Sequence, residues 1–273
     1  MRRKLLTEFM MQAPYQPATN YWRAIEVEEV IKYGLPEGRG LDLGCGDGHL
    51  MAIILASTGG RELVGVDIDS SETALAKKRN IYKDVVTARA DQMPFPDPIF
   101  DFAFSNSVLE HIEGISEVLS EVRRVLRPRG RFIFTVPGTN FHRCLKGPRS
   151  PEKREEYLRE IDARCFHLRY WGRDDWRKNL HAAGLSPAHE HEFLTRLQVQ
   201  RWEHIASLTS GFLYRLSGRR KQPIDIQRRI GIRSHRTRLP RTLASLSTRI
   251  LDRGSPGGDS PYGCLLIEAT KVQ

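Results

Sequence analysis

The chain has 273 residues, of which 40% are apolar and 28% charged, an ordinary balance for a globular protein with room for one sizeable α/β domain and appendages. No run of 18 apolar residues is present, which excludes an integral membrane helix. The net charge of +10 is placed unevenly: residues 1–137 carry 17 Lys+Arg against 19 Asp+Glu, whereas 195–253 carry 14 Lys+Arg against three acids, Glu203, Asp225 and Asp252.

In chain order, MRRKLLTEFMMQAP opens on basic residues like a leader, but Glu8 interrupts the apolar stretch that an export signal needs, so none is expected. A helix is expected over 21–33. From 38 to 137, short apolar runs alternate with longer helical patterns, which predicts a parallel, doubly wound sheet. Strands are expected over 39–43, 62–66, 85–89, 100–105 and 131–136, and helices over 49–57, 71–80 and 115–126. In the last of these Ile115, Val118, Leu119, Val122, Val125 and Leu126 share one face, and Pro128 and Gly130 stop it. After Pro137 a loop-rich polar insertion is expected to about 171, then a helix over 173–183 capped by Gly184, a strand over 188–194, the basic segment, a Gly/Ser/Pro linker and a final strand over 263–270. The expected organisation is an N-terminal helical segment 1–37, a core 38–194 with a lid insertion near 138–171, a basic and mainly helical insertion 195–257, and a closing strand within 258–273. Cys45, Cys144, Cys165 and Cys264 form neither a CxxC nor a Cys/His zinc spacing, so a reducing, cytoplasmic setting is expected.

The segment RGLDLGCGDGHL sets Gly44, Gly46 and Gly48 between a strand and a helix, where glycine lets a ligand approach the backbone closely. A dinucleotide fingerprint would want Gly or Ala at position 49, and His49 stands there instead. Asp42, inside the strand end, suits an ammonium group and not a pyrophosphate. Asp67, at the end of the next strand, can accept from both hydroxyls of a ribose, which supports an adenosine ligand.

LDLGCGDG, GVDIDSSETALAKK, ARADQMPFPDPIFDFAFSNSVLEHI and EVRRVLRPRGRFIFTVP together resemble the four motifs of the class I S-adenosylmethionine-dependent methyltransferases, in particular their type 11 group, continuously over 38–137. The resemblance implies a seven-stranded, mostly parallel Rossmann-like sheet with two insertions, and S-adenosylmethionine as cofactor. It implies that Asp42, Gly44 and Gly46 hold the methionine end, with Cys45 between them in the cofactor set, that Asp67 holds the ribose, and that Asp91 binds the adenine amino group with Gln92 and Met93 beside the ring. Ile68 and Asn106 complete the implied cofactor set. Taken singly each has a plainer reading: glycines as turns, Asp67 and Asp91 as helix caps, Met93 as core.

Methyl transfer from a sulfonium needs a nucleophile placed in line and, where necessary, a base. The acceptor is expected at the carboxyl ends of the strands, near Ser105, Asn106, Glu110, His111, Asn140, His142 and Arg143. His111 is the first base candidate because an imidazole titrates near neutrality, with a capping role as its alternative; His142 and His167 are secondary candidates. In CFHLRYWG, His167, Arg169 and Tyr170 are candidate substrate contacts. A related branch of the family carries an E-x-x-E-H cation site; Ser107 stands at its first position here, so no metal is expected.

RLQVQRWEHIASLTSGFLYRLSGRRK reads as one amphipathic helix with Trp202, Ile205, Leu208, Thr209, Phe212, Leu213 and Leu216 near one face, edged by Arg201 and Arg215 and ending on Arg219, Arg220 and Lys221. The expected function is methyl transfer to a small-molecule, saccharide or lipid-linked acceptor, at oxygen, by a cytoplasmic protein or one peripheral at the inner face of a membrane, with an anionic membrane surface as a further partner. The alternatives are an RNA methyltransferase using 195–253 as its platform, less favoured because aromatics are few there, and a non-catalytic cofactor-binding protein. The oligomeric state stays open.

Overall fold

A computed structural model describes residues 1–96, 98–216, 218, 238–252 and 260–272. The chain divides into two compact units, one of Met1–Glu28, Asn140–His167 and Leu194–Gly263, the other of Glu29–Thr139, Leu168–Phe193 and Cys264–Gln273.

The second unit is built on a seven-stranded sheet of order β3-β2-β1-β4-β5-β7-β6. Its strands are β1 (Arg39–Leu43), β2 (Glu62–Asp67), β3 (Asp84–Thr87), β4 (Phe100–Asn106), β5 (Leu126–Pro137), β6 (Leu185–Thr195) and β7 (Tyr262–Lys271). β3, β2, β1, β4 and β5 pair in parallel and β7 runs antiparallel to β5. The expected doubly wound, mostly parallel sheet is therefore the fold. The order reverses between β1 and β4, and a doubly wound sheet opens a ligand crevice at such a switch point, beyond the carboxyl ends of its strands.

Two-residue periodicity sends Leu41, Leu43, Val64, Val66, Phe132 and Phe134 to one sheet face, where they bury against α5 (Ile115–Val125) and α8 (Arg173–Ala182). α5 answers with Ile115, Val118, Leu119, Val122 and Val125, all buried at helical spacing, and α8 with Trp176 and Leu180. Each such side chain contributes about 1.5–3 kcal/mol by leaving water. The turn expected at Pro128 and Gly130 lies inside β5, where the pairing jumps from Phe100↔Leu126 to Phe102↔Arg131 and Arg129 takes a left-handed φ of +65°. α3 (His49–Thr58) and α4 (Ser70–Lys77) follow β1 and β2, and Gly184 caps α8 at φ +73°.

The first unit is helical: α1 (Arg2–Gln12), the start of α2 (Pro17–Tyr33), α6 (Phe141–Cys144), α7 (Pro151–Cys165), α9 (Arg196–Leu208), α10 (Ser210–Leu216) and α11 (Arg241–Leu251). Its centre is an edge-to-face trio, Trp22–Trp202 at 5.3 Å, Trp22–Phe141 at 5.6 Å and Phe141–Trp202 at 5.8 Å. Beside it the buried Glu203 carboxylate accepts from the Lys146 and Gly147 amides at 2.7 and 2.8 Å and from the Tyr157 hydroxyl at 2.5 Å.

Two expectations need correction here. The polar insertion is not loop-rich: α7 fills 15 of its residues, with Pro151 in its first turn and Ile161 alone buried, so a helix polar nearly all round left no apolar period. The basic amphipathic helix is broken at Thr209 (φ −123°, ψ −96°), so Trp202 and Ile205 are buried while Leu208, Phe212 and Leu216 are exposed. α1 falls within the N-terminal stretch expected to be helical and buries Leu5, Leu6, Phe9 and Met10. Arg219, Arg220, Lys221 and most of the Gly/Ser/Pro linker lie outside the described residues.

Candidate functional site

The loop after β1 is shaped by three glycines with positive φ, Gly44 at +77°, Gly46 at +52° and Gly48 at +72°. At Gly44 an added Cβ would stand 2.4 Å from Val108 Cγ2, so this position needs both the left-handed backbone and the missing side chain. At Gly46 no atom lies within 4 Å of where a Cβ would be, which leaves open space against the backbone. The loop is pinned from behind: the Gly44 and Cys45 amides donate to the Val66 carbonyl at 2.8 and 3.0 Å, and Arg79 Nη2 donates to Asp47 Oδ2 at 2.7 Å. Asp47 in turn accepts from the His49 amide at 3.0 Å. Burial pulls the His49 imidazole down to about 4, so it is neutral.

Two carboxylates face this loop from the ends of adjacent strands. Asp67 Oδ2 accepts from the Gly46 amide at 2.8 Å and Oδ1 from the Asp69 amide at 2.9 Å, and each oxygen retains a second lone pair. Asp42 is buried and accepts from the Tyr82 hydroxyl at 2.5 Å. Burial, then the charge of Asp67, push the Asp42 carboxyl up to about 7, against the lowering effect of the Tyr82 hydrogen bond. A carboxyl held so high beside a second acid marks a place where a cation is favoured and an anion is not. Beside Asp67, Ile68 presents an exposed apolar side chain. Glycine-lined space, a carboxylate able to take a diol, an acid pair suited to an ammonium and an apolar flat beside them fit the methionine, ribose and adenine parts of S-adenosylmethionine.

The other cofactor candidates are placed differently. Asp91 is held by Arg89, whose Nε and Nη2 donate to its two oxygens at 2.9 and 2.6 Å, and Gln92 is exposed. Met93 is buried in the core, with its amide donating to Glu121 Oε1 at 2.7 Å. Cys45 packs with Ala76 and Val85, and burial raises its thiol far above the usual range. Asn106 is buried at the end of β4, where the Ser105 hydroxyl ties that strand to the Leu43 carbonyl at 3.0 Å.

Past β4, Ser107 turns the chain at φ +49° into a single helical turn, Leu109–His111. Glu110 is buried there, and His111, 36% exposed in its side chain, sets Nε2 3.9 Å from Glu110 Oε1. Arg169 braces this turn by donating to the carbonyls of Leu109 and Glu113, and it stacks over Trp171 at 5.1 Å. The bracing role of Arg169 was not visible in the sequence, since it joins residues some sixty positions apart through main-chain carbonyls. In the helical unit, His142 Nε2 lies 2.8 Å from Asp162 Oδ1, and the His167 ring is 5.9 Å from that of Phe141. Tyr170 is half-buried.

A seven-stranded sheet of this order and pairing is the Rossmann-like fold of the class I methyltransferases. Residues 41–134 match the family described as "Methyltransferase domain", and over these residues the chain carries a class I methyltransferase domain of the type 11 group. It is 33% identical over 113 residues to a demethylmenaquinone methyltransferase of Symbiobacterium thermophilum, covering 39% of this chain and 45% of that one. It is 32% identical over 108 residues to a malonyl-[acyl-carrier protein] O-methyltransferase of Methylococcus capsulatus, covering 38% and 39%. The alignment thus spans less than half the length of these curated relatives. Among solved structures, geranyl diphosphate C-methyltransferase of Streptomyces coelicolor superposes with a TM-score of 0.57 at 15% identity, covering 90% of this chain and 75% of that one. The [4+2]-cyclase SpnF superposes with a TM-score of 0.54 at 18% identity, covering 90% and 80%. Likeness at these identities is likeness of fold.

Proposed function

We propose that this chain transfers the methyl group of S-adenosylmethionine to a hydroxyl of a small-molecule, saccharide or lipid-linked acceptor. The observation that carries the reading is Asp67 accepting from the Gly46 amide, where the backbone has open space beside it, with the buried Asp42 carboxyl close enough to feel its charge. Bound there, the donor supplies a methyl already activated on a sulfonium sulfur, open to in-line displacement. Asp67 orients the ribose hydroxyls while keeping the Gly46 amide in place, and Asp42 gives up its proton to meet the ammonium of the methionine end. Ile68 offers the apolar surface for the adenine, and Asp91, just past β3, is the acid proposed for its amino group.

An oxygen nucleophile has a proton to lose, and His111 is the group at the strand ends suited to take it, with the buried Glu110 carboxylate 3.9 Å away to stabilise the imidazolium. The relatives divide on the target atom, one being named for O-methylation and a structural neighbour for C-methylation, so the oxygen assignment rests on His111. Because a cyclase shares the fold, the test must follow the methyl group itself. Isotopically labelled S-adenosylmethionine is offered with panels of hydroxylated small molecules, saccharides, lipid-linked intermediates and RNA. Label is expected in a hydroxyl-bearing non-nucleic-acid acceptor, with transfer slowed about 10²–10⁴-fold in His111→Ala. Label in RNA, or a His111→Ala variant as fast as the parent, contradicts the acceptor class or the base respectively.

A further inference from the structure

We propose that the face formed by α1 and α11 docks on an anionic lipid bilayer. α11 turns Ala244 and Thr248 inward, and Thr248 Oγ1 meets Thr7 Oγ1 of α1 at 3.3 Å. It turns its largest apolar residues outward instead: Leu243, Leu246 and Ile250 are 53%, 57% and 57% exposed. At 100° per residue these three fall within about 60° of one another, forming a single ridge along the helix. Along one flank of that ridge Arg241, Thr242, Ser245 and Arg249 line an open groove of about 800 Å³ with Arg3, Lys4 and Thr7. Glu8 lies 3.5 Å from Arg241 and Asp252 lies 3.5 Å from Arg3, whereas Lys4 and Arg249 have no acidic partner among the described residues.

An apolar ridge with cations along its flank is the arrangement of a helix lying in a bilayer interface, ridge among the acyl chains and cations at the phosphates. Burying a Leu or Ile fully favours docking by about ten- to a hundredfold, and each cation near an anionic surface by about fivefold. The residues argue against the other occupants. Single-stranded RNA is held by stacking on aromatic rings, and the ridge has none. A second copy packed isologously would bring the Lys4 and Arg249 cations of both copies into one interface, adding like charges there. The proposal does not rest on the methyl-transfer reading, because none of these residues belongs to the donor site.

Flotation of the full chain with phosphatidylcholine vesicles, with and without a third of phosphatidylglycerol, tests it. The parent is expected to float with the anionic vesicles only. Lys4→Glu/Arg249→Glu should weaken that binding at least about twenty-five-fold, each lost cation counting for about fivefold, and Leu243→Ser/Leu246→Ser/Ile250→Ser should abolish it. Both variants change exposed side chains and should keep the parent's circular dichroism and S-adenosylmethionine affinity; Leu246→Ser alone serves if the triple variant does not fold. A parent that never floats overturns the proposal, as do variants that float like it, which would place the binding elsewhere in the chain. RNA binding lost on charge reversal but untouched by the serines, without flotation, overturns it too, and so does a ridge-dependent dimer that ignores vesicles.

Discussion

Asp42 and Tyr82 show how the donor site costs the free protein stability. The unfolded Asp42 carboxyl titrates near its ordinary value of 3.8, the folded one at about 7, with burial as the main cause. Below the lower value both states are protonated and the residue is neutral in its effect; above about 7 the fold must hold a buried carboxylate, so its destabilisation is fully present there. Asp42→Asn, which can still accept from the Tyr82 hydroxyl, should therefore raise Tm at pH 8 and leave it unchanged near pH 3, while weakening S-adenosylmethionine binding. Thermal melts at the two pH values check this; equal shifts at both would separate the effect from titration. In the parent, donor affinity should fall as pH drops from 8 to 6, by up to about tenfold per unit below the pKa, with a proton released on binding. Calorimetry in buffers of different ionisation enthalpy reads that proton. At Gly44, the φ of +77° and the 2.4 Å approach to Val108 predict that Gly44→Ala loses about 1–3 kcal/mol, measured by denaturant melts.

Among the elements, α5 was open to sequence reasoning because its five buried residues keep helical spacing beside charged ones, and it ends at Val125, one residue before the expected 126. Leu119→Ala, at a position with no exposure, should cost about 2–5 kcal/mol in a denaturant melt. The strands on either side of the switch point were legible for the same reason, as apolar runs between turn residues. β3 was less so: it closes at Thr87, before the expected 89. α7 shows where this reasoning stops, since EKREEYLREIDAR buries only Ile161 and its helix is held by propensity, which a hydrophobic pattern does not report. α9 shows another limit, because Glu203 reads as a solvated charge in sequence yet is buried and accepts three hydrogen bonds. Glu203→Ala leaves two buried amides and a hydroxyl unanswered and should cost about 3 kcal/mol or more, whereas Glu203→Gln, retaining one acceptor, should cost less. A melt in which both variants match the parent would remove that role.

Across the whole chain, the part shared with known proteins and the part that sets this one apart occupy different residues. The family match covers 41–134 and includes Gly44, Gly46, Asp67 and Asp91, so the glycine and acid positions could be read from motifs alone. Asp42 also lies there, but its pairing with Tyr82 forty residues on is a tertiary fact that no motif spells out. Most of the excess charge lies in 195–253, outside the match, and no helix among the described residues is long and apolar enough to cross a membrane. The chain's basicity therefore lies outside the residues that the family match covers.

Whether Asp67 and the loop at Gly46 hold S-adenosylmethionine is read by titration calorimetry of the parent and Asp67→Ala. The parent should bind one equivalent, and Asp67→Ala should bind at least about a hundredfold more weakly, since two hydrogen bonds to a charged acceptor are lost at about 1.5–3 kcal/mol each. A parent that does not bind, or an Asp67→Ala chain that binds like the parent, would contradict the account.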